Sequence, residues 1–205
     1  MTKYMDYTSP DTQFTFDLNT SNLYKKDNYN LINVLGVNQL NTLEGSSLLD
    51  IFLSKSNFVE PHYHQNASEL VYCISGKANV SMLNPFTNEI QTYPITPGQV
   101  ANVPQGWWHY EEALADRTHL LAIFDAPTPL VILGSNILKF TPSNVMAHNY
   151  CMDENQWIKT TATVNPNTYI GPSCAPAQNR PYTETASPYW YPQGYSYNYH
   201  YPYQP

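Results

Sequence analysis

The sequence predicts an all-β domain, a sandwich or closed barrel, followed by one or two short helices and a disordered tail rich in Tyr and Pro. Three observations support this. Short segments of alternating or β-branched residues follow one another from Leu48 to Phe124, separated by turn-forming residues. Helix-start signals follow Phe140. The composition then changes abruptly near Thr163, where Pro and Tyr become dominant.

The 205-residue chain divides into three predicted parts. Residues 1–30 are polar and form an N-terminal arm, in which FTFDL at 14–18 is predicted as one strand. Residues 31–160 form the β domain, and residues 161–205 form a low-complexity tail. One domain of common size and an appendage fit this length, whereas two barrels do not.

Seven segments within the β domain have the composition of strands. They are LLDIFLS at 48–54, VEPHYH at 59–64, LVYCI at 70–74, KANVSML at 77–83, EIQTYPIT at 89–96, QVANVP at 99–104 and THLLAIF at 118–124. Ser75-Gly76 predicts a tight hairpin between two of them, and residues 84–88 predict a longer one.

The predicted helices follow the last strand. Thr141 is a suitable N-cap, and Pro142 suits the first position of a helix. The pattern therefore predicts a short helix over residues 143–150 and a second helix from Asp153.

The tail differs in composition from the rest of the chain. Residues 163–205 hold eight prolines and two charged side chains, and Tyr stands at nearly every second position from Tyr189 to Tyr203. Such a segment is expected to be disordered when alone. Its phenol rings can stack, pair as strands or be cross-linked, so one hypothesis is self-association. The alternative is a dispensable flexible tail.

Composition excludes several classes of function. With a net charge of −7 and nine Lys and Arg in the whole chain, a nucleic-acid or anionic-membrane surface is not expected. Residues 1–10 lack an apolar signal-peptide core and no apolar run is long enough to span a bilayer, so we expect cytoplasmic synthesis. Cys73, Cys151 and Cys174 are too few and too far apart for a disulfide framework, and unpaired thiols are expected.

One group of residues points to a metal. His62 and His64 stand at i and i+2 on a predicted strand, and therefore project from the same face. Glu69 follows a few residues later, and a third imidazole, His109, lies far along the chain. Three nitrogens and one carboxylate oxygen can hold a divalent ion and leave positions open for water or substrate. Manganese, iron, nickel and zinc all suit this set.

The residues around these four give the resemblance. HYHQNASELVYCISG, residues 62–76, resembles the first cupin motif, in which His-x-His is followed by Glu and then by a turn glycine. GQVANVPQGWWH, residues 98–109, resembles the second motif, with Gly98, Pro104 and Gly106 at the family spacing before His109. The joint pattern is far more specific than a lone His-x-His.

Within the cupins, the chain is most similar to the germin and oxalate decarboxylase branch, on the motif segments, FDAP at 124–127 and TPSNVMAHNY at 141–150. The resemblance covers roughly residues 30–160. It implies a jelly-roll barrel, manganese as the favoured metal, a small carboxylate as ligand and a homo-oligomer.

The sequence departs from this branch where the substrate would bind. The family has an arginine just before His-x-His and a glutamate on a mobile lid. Here residues 57–61 read NFVEP, and Asp125 is the one acid in the segment that follows Phe124. A dicarboxylate would lack its bidentate partner. Ser56 also stands where the first motif usually opens with Gly, and Ala113 where the second often closes with Asn.

The aromatic residues of the motifs have two interpretations. Trp107, Trp108, Tyr63, Tyr72 and Tyr110 could line a ligand pocket or fill the barrel core. We favour core for most of them. Because neighbouring residues of a strand face opposite sides, at most one of the two tryptophans should point inward.

Two functional hypotheses therefore remain. The first is a metal-dependent oxidase or dioxygenase, supported by the complete ligand set. The second is a structural protein, of spore-coat or surface-layer type, that uses the barrel as a building block and the Tyr-rich tail to join copies. The absent arginine and lid glutamate favour the second, and no catalytic residue is assigned.

Overall fold

In the computed structural model, residues 5–172 are described and form an all-β domain with three short helices. The strands are β1 (Asn22–Lys25), β2 (Leu31–Leu35), β3 (Ser47–Leu53), β4 (Phe58–Tyr63), β5 (Glu69–Ser75), β6 (Ala78–Asn84), β7 (Glu89–Ile95), β8 (Val100–Val103), β9 (His109–Ala113), β10 (Thr118–Phe124), β11 (Ile132–Leu133) and β12 (Ile170–Gly171). The helices are α1 (Gly134–Phe140), α2 (Ser143–Asn149) and α3 (Glu154–Thr161).

Two antiparallel sheets enclose the core. One has the order β1-β2-β3-β10-β5-β8, and the other has the order β11-β4-β9-β6-β7, with β12 also pairing with β4. The strands alternate as expected of half-buried strands, and β5 shows this well, since Glu69, Val71 and Cys73 are buried while Leu70 and Tyr72 face outward. The all-β prediction is confirmed, and all seven predicted strands are present within one or two residues at each end.

Two local predictions are wrong in the β region. FTFDL forms no strand, and the first strand is β1, a few residues further on, where it pairs with β2. Ser75-Gly76 does not close a hairpin, because β5 and β6 lie in different sheets. Gly76 instead turns the chain from one sheet to the other at φ +78°. The longer hairpin is confirmed: β6 pairs with β7, and the side chain of Asn84 accepts a hydrogen bond from Phe86 N.

The helical prediction is partly right. Helix α3 begins after Asp153, whose side chain accepts from Gln156 N, and α2 begins at Ser143. Thr141 does not cap α2. It ends α1, a helix that the sequence pattern did not predict because it directly follows a strand without a capping side chain. The described residues therefore contain three α-helices, besides a 3-10 helix at Leu18–Thr20, where one or two short helices were expected after the last strand.

The segment that follows the helices returns to the barrel. Strand β12 pairs with β4, and the ring of Tyr169 contacts that of Tyr24 at 5.3 Å between centroids. Residues 173–205, with most of the predicted tail and Cys174, lie outside the described residues. None of the helices among residues 5–172 is long and apolar enough to cross a membrane.

Candidate metal centre

The barrel strands bring the four predicted ligand residues together. His62 on β4 pairs directly with His109 on β9, so the two imidazoles face the same interior space from adjacent strands. Glu69 is the first residue of β5, as predicted, in the opposite sheet. An irregularity between Val59 and His62 in the β4–β9 ladder marks a bulge, a feature that redirects side chains near functional sites.

The turn before β9 sets the position of His109. Gly106 adopts φ +80°, a conformation that glycine reaches without strain, and its N–H donates to the carbonyl of His64 at 2.9 Å. This hydrogen bond joins the start of β9 to the end of the His-x-His segment. Pro104 accepts from Trp107 N at 3.1 Å and closes the turn. The Pro-x-Gly spacing therefore holds two of the imidazoles in register.

The four side chains converge inside the barrel. Each offers one ligand atom, these atoms all lie within 4.8 Å of one another, and all four side chains are buried. The Glu69 Oε2 atom is 2.8 Å from His109 Nε2 and 3.4 Å from His64 Nε2. This His/Glu group could hold a metal ion.

Each imidazole is oriented by a backbone carbonyl. The Nδ1 atoms of His62, His64 and His109 lie 2.6, 2.8 and 2.8 Å from the carbonyl oxygens of Glu60, Leu130 and Trp107, respectively. A carbonyl can only accept, so each Nδ1 carries a proton and donates. The Nε2 atoms are then left for the interior. Fixing Nδ1 in this way is the usual outer-shell arrangement of a metal-binding histidine.

One of the buried ligand atoms of this group has no hydrogen-bond partner among the described residues. His64 Nε2 is buried and has no hydrogen-bond partner in the described structure. An unpaired buried nitrogen costs free energy, which a bound cation would recover. Three imidazole nitrogens and one carboxylate oxygen form a donor set of intermediate hardness. The residues present therefore fit a divalent first-row metal.

The charges within the group respond to burial and to one another. Burial raises the pKa of Glu69, whereas the hydrogen bond from His109 lowers it. The hydrogen bond has the larger effect together with the nearby imidazoles, so this pKa lies well below its usual range. Burial and the nearby His109 keep the pKa of His62 well below its ordinary value, so His62 is neutral. For His109, burial opposes protonation, but the hydrogen bond to Glu69 raises the pKa to about 9.

Glu111 is a buried carboxyl group beside the site that the sequence interpretation missed. It stands two residues after His109 on β9, is 1% exposed, and its Oε1 atom lies 3.7 Å from His109 Nε2. Neither oxygen has a hydrogen-bond partner in the described structure. Burial, with the charge of Glu69, raises the pKa of Glu111 to about 8. The i+2 spacing on the strand could have identified it.

A pocket of about 240 Å³ reaches His62 and His64 from the side of β2 and β3. Its walls are largely aliphatic, and the residues that line it include no Lys, Arg, Asp or Glu. None of the five motif aromatics lines this pocket. Trp107 packs against the core, whereas Tyr72 is 39% exposed on the outer face, so the core interpretation is wrong for Tyr72.

The other candidate residues lie outside this centre. Asp125 is exposed, and its carboxylate accepts from the N–H and the hydroxyl of Ser68, both at 2.8 Å. It therefore ties two loops together. His119 is hydrogen-bonded to Asp50 on the outer side of the barrel. Cys73 is buried in the core, as expected for a small apolar residue.

Sequence comparison agrees with this architecture. The family model for cupins matches residues 17–157. The chain belongs to the cupin family. The match begins before β1 and ends within α3, so it includes both sheets and all four residues of the candidate metal centre.

This cupin resembles curated proteins of two kinds. It is 28% identical over 123 residues to germin-like protein subfamily 2 member 1 of Arabidopsis thaliana, which covers 58% of this chain and 55% of the relative. It is 24% identical over 106 residues to glycinin G4 of Glycine max, covering 52% and 19%. The chain thus spans only part of the length of these relatives.

Two solved structures share this fold. Oxalate decarboxylase from Bacillus subtilis matches with a TM-score of 0.67 and 20% identity over 80% of this chain and 41% of that one. The coconut allergen cocosin matches with a TM-score of 0.67 and 21% identity over 75% of this chain and 42% of its own. At this identity the likeness establishes the fold.

Proposed function

We propose that this cupin binds one divalent metal ion through His62, His64, Glu69 and His109 and acts as a metal-dependent oxidase or dioxygenase on a small carboxylate. The observation that carries the proposal is the orientation of the imidazoles. All three Nδ1 atoms donate to backbone carbonyls, which leaves the Nε2 atoms to the space around Glu69. A histidine that binds a metal usually has its other ring nitrogen fixed by such a hydrogen bond.

Manganese is the metal that we favour. Neutral imidazoles with one carboxylate suit manganese(II) and iron(II), and also nickel or zinc. The oxalate decarboxylase of Bacillus subtilis, which shares this fold, has been studied for its Mn(II) centres. Such an ion, when bound, supplies a Lewis acid and open positions for substrate and water.

The residues of the chain have separate roles in this proposal. The three imidazoles and Glu69 hold the ion, while the backbone carbonyls of Glu60, Leu130 and Trp107 keep the rings oriented. Glu111 places a further carboxyl group beside His109, where it can hold a proton. The pocket lined by His62 and His64 provides largely aliphatic surface beside the centre.

Elemental analysis of the purified full-length protein tests the proposal. We expect close to one manganese or iron per chain, and loss of the metal in the His64→Ala variant. His119→Ala is the control, because it also removes an imidazole from the barrel, one that is partly buried and hydrogen-bonded to Asp50, but lies outside the centre. Equal metal content in His64→Ala and the control would contradict the proposal, as would a metal-free protein after refolding with manganese.

A second candidate function is assembly, and one surface favours it. The outer faces of β5, β8 and β10 expose apolar side chains that are each between 37% and 55% accessible: Leu70, Tyr72, Ile74, Val100 and Ile123. These side chains are neighbours through the ladders β10–β5 and β5–β8. Contiguous apolar surface of this kind is uncommon on monomers. We propose that a second copy of the chain covers this face, with the Tyr-rich tail joining further copies in a spore coat or surface layer.

Two variants separate the barrel face from the tail. Tyr72→Lys places a charge in the centre of the apolar face, and we expect it to convert an oligomer to monomers in sedimentation experiments. Truncation after Pro172 removes the tail and keeps β12, whereas truncation near Thr163 would remove a strand. Loss of large assemblies on truncation supports the tail hypothesis. A full-length protein that is monomeric at high concentration would contradict both.

A further inference from the structure

The pocket beside the candidate metal centre has a chemical character that defines a substrate class. Its walls include Ile32 and Val34 of β2, Leu49 of β3, Val59 of β4 and Leu133 of β11, all aliphatic. His62 and His64, two of the four candidate ligands, also line it. Apolar walls with few polar groups are typical of sites for small organic molecules.

Size limits the ligand. The pocket measures about 240 Å³, which is below the roughly 300–1,000 Å³ of pockets that hold drug-sized molecules. A ligand with a short branched or cyclic hydrocarbon body fits this space. A flavonoid-sized molecule does not.

The net charge of the metal centre limits the number of carboxylates that the ligand can carry. A divalent ion held by Glu69 and three neutral imidazoles has one net positive charge, so one carboxylate of a ligand neutralises it. A second carboxylate would have no cationic partner, since no Lys or Arg is among the described residues that line the pocket and its polar side chains, those of Asn38, Gln39, Thr128 and Tyr169, are neutral at pH 7. Burying an unpaired charge in such surroundings is strongly unfavourable. Val59, three residues before His62, contributes an isopropyl group to this wall.

We propose that this pocket binds a small monocarboxylate with an apolar body, whose carboxylate meets the metal and whose hydrocarbon part contacts Val34, Leu49 and Val59. This inference rests on the proposed metal centre and narrows its substrate class. Dicarboxylates such as oxalate and succinate are poor ligands in this arrangement.

Calorimetric titration of the manganese-loaded full chain tests the inference with three probes of similar size: isovalerate, its neutral amide and succinate. We expect isovalerate to bind at least tenfold more tightly than either of the others, and to lower the water-proton relaxation caused by manganese. Succinate or the amide binding as tightly as isovalerate would overturn the inference. So would manganese-loaded protein that binds none of the three.

Variants of one pocket residue locate the binding. Val34→Phe should weaken isovalerate at least tenfold with manganese content unchanged, and Val34→Lys should shift the preference toward succinate. Val145→Phe, at an exposed position of α2 outside both the pocket and the apolar face, is the matched control and should have no effect. Manganese content is measured first. If the unaltered protein does not bind manganese, the proposed function is overturned as well. If it binds manganese but ranks the three probes differently, only the inference is overturned.

Discussion

The Nε2 atom of His109 lies 2.8 Å from the Oε2 atom of Glu69, and this hydrogen bond occupies the interior of the candidate metal centre. Glu69 is ionised because its pKa is held well below the usual range. His109 also donates from Nδ1 to the carbonyl of Trp107, so both ring nitrogens carry protons. In the metal-free protein an imidazolium thus faces a carboxylate where a cation would bind.

Metal binding should therefore release a proton. A nitrogen that ligates a metal must be deprotonated, and the pKa of His109 near 9 means that it is protonated at pH 7. We expect at least one proton per manganese, measured by titration calorimetry in buffers of different ionisation enthalpy. Glu111→Gln is the control that removes the second candidate proton. Manganese uptake without proton release in both proteins would contradict the assignment.

The metal-free protein should lose stability as pH rises from 7 to 9. The folded pKa of His109, about 9, exceeds its unfolded value near 6.5, so this contribution is complete below 6.5 and disappears as pH rises through 9. Glu111 acts in the same direction, since its pKa is raised to about 8. His109 alone should account for about 2 kcal/mol over this interval. Urea unfolding at several pH values measures the change.

The manganese-loaded protein provides the contrast. Bound metal displaces the His109 proton, so the part of the decline that comes from His109 should be absent and only the part from Glu111 should remain. A metal-free protein whose stability is constant or rises between pH 7 and pH 9 would show that His109 is not an imidazolium in the folded state.

Much of the fold and the four-residue group could be predicted from sequence because both depend on local patterns. Strand alternation places His62 and His64 on one face, and the Pro-x-Gly turn precedes His109 at a fixed spacing. Glu111 was missed although it follows the same alternation. Its burial depends on the packing of β9 between β4 and β6, which the sequence pattern does not specify.

The pocket could not be predicted in this way. Its walls come from β2, β3, β4 and the segment near Tyr169, which are distant in sequence and meet only in the folded chain. The Ser75-Gly76 error has a related cause. A turn glycine specifies a change of direction, but the partner of the next strand is decided by the packing of the two sheets.

Gly76 and Gly98 form a matched pair for testing that turn. Both have positive φ, of 78° and 87°. A Cβ atom on Gly76 would lie 2.5 Å from Thr118 Oγ1 and 2.6 Å from its Cα, whereas one on Gly98 would meet nothing within 4 Å. Gly98→Ala should cost about 1 kcal/mol of unfolding free energy through backbone strain. Gly76→Ala should cost a further 1–3 kcal/mol through overpacking, roughly.

Chemical denaturation with circular dichroism gives both values. The result depends on Thr118, which is fully buried and whose hydroxyl joins the start of β10 to Lys77, the residue after the turn glycine. Equal destabilisation by the two substitutions would mean that the chain between the sheets can shift away from Thr118 without loss.

Glu111 and Glu60 are both buried glutamates on adjacent barrel strands, and they should respond in opposite ways to replacement by leucine. Glu60 accepts hydrogen bonds from Ser135 N, Ser135 Oγ and Tyr169 N at 2.8, 2.8 and 3.0 Å, so it joins α1 and the C-terminal segment to β4. Glu60→Leu leaves these donors unpaired. We expect a loss of about 3 kcal/mol or more of unfolding free energy.

Glu111 differs from Glu60, because its buried oxygens have no hydrogen-bond partner in the described structure. Glu111→Leu removes an unsatisfied polar group and should stabilise the metal-free protein by about 1–3 kcal/mol, as measured by urea unfolding. A carboxyl group that costs stability is expected at a site that serves function rather than folding. Manganese content should stay near that of the unaltered protein, since the four proposed ligands are intact. If Glu111→Leu instead destabilises the metal-free protein, as Glu60→Leu does, the group has a structural partner and its role beside the metal centre must be rejected.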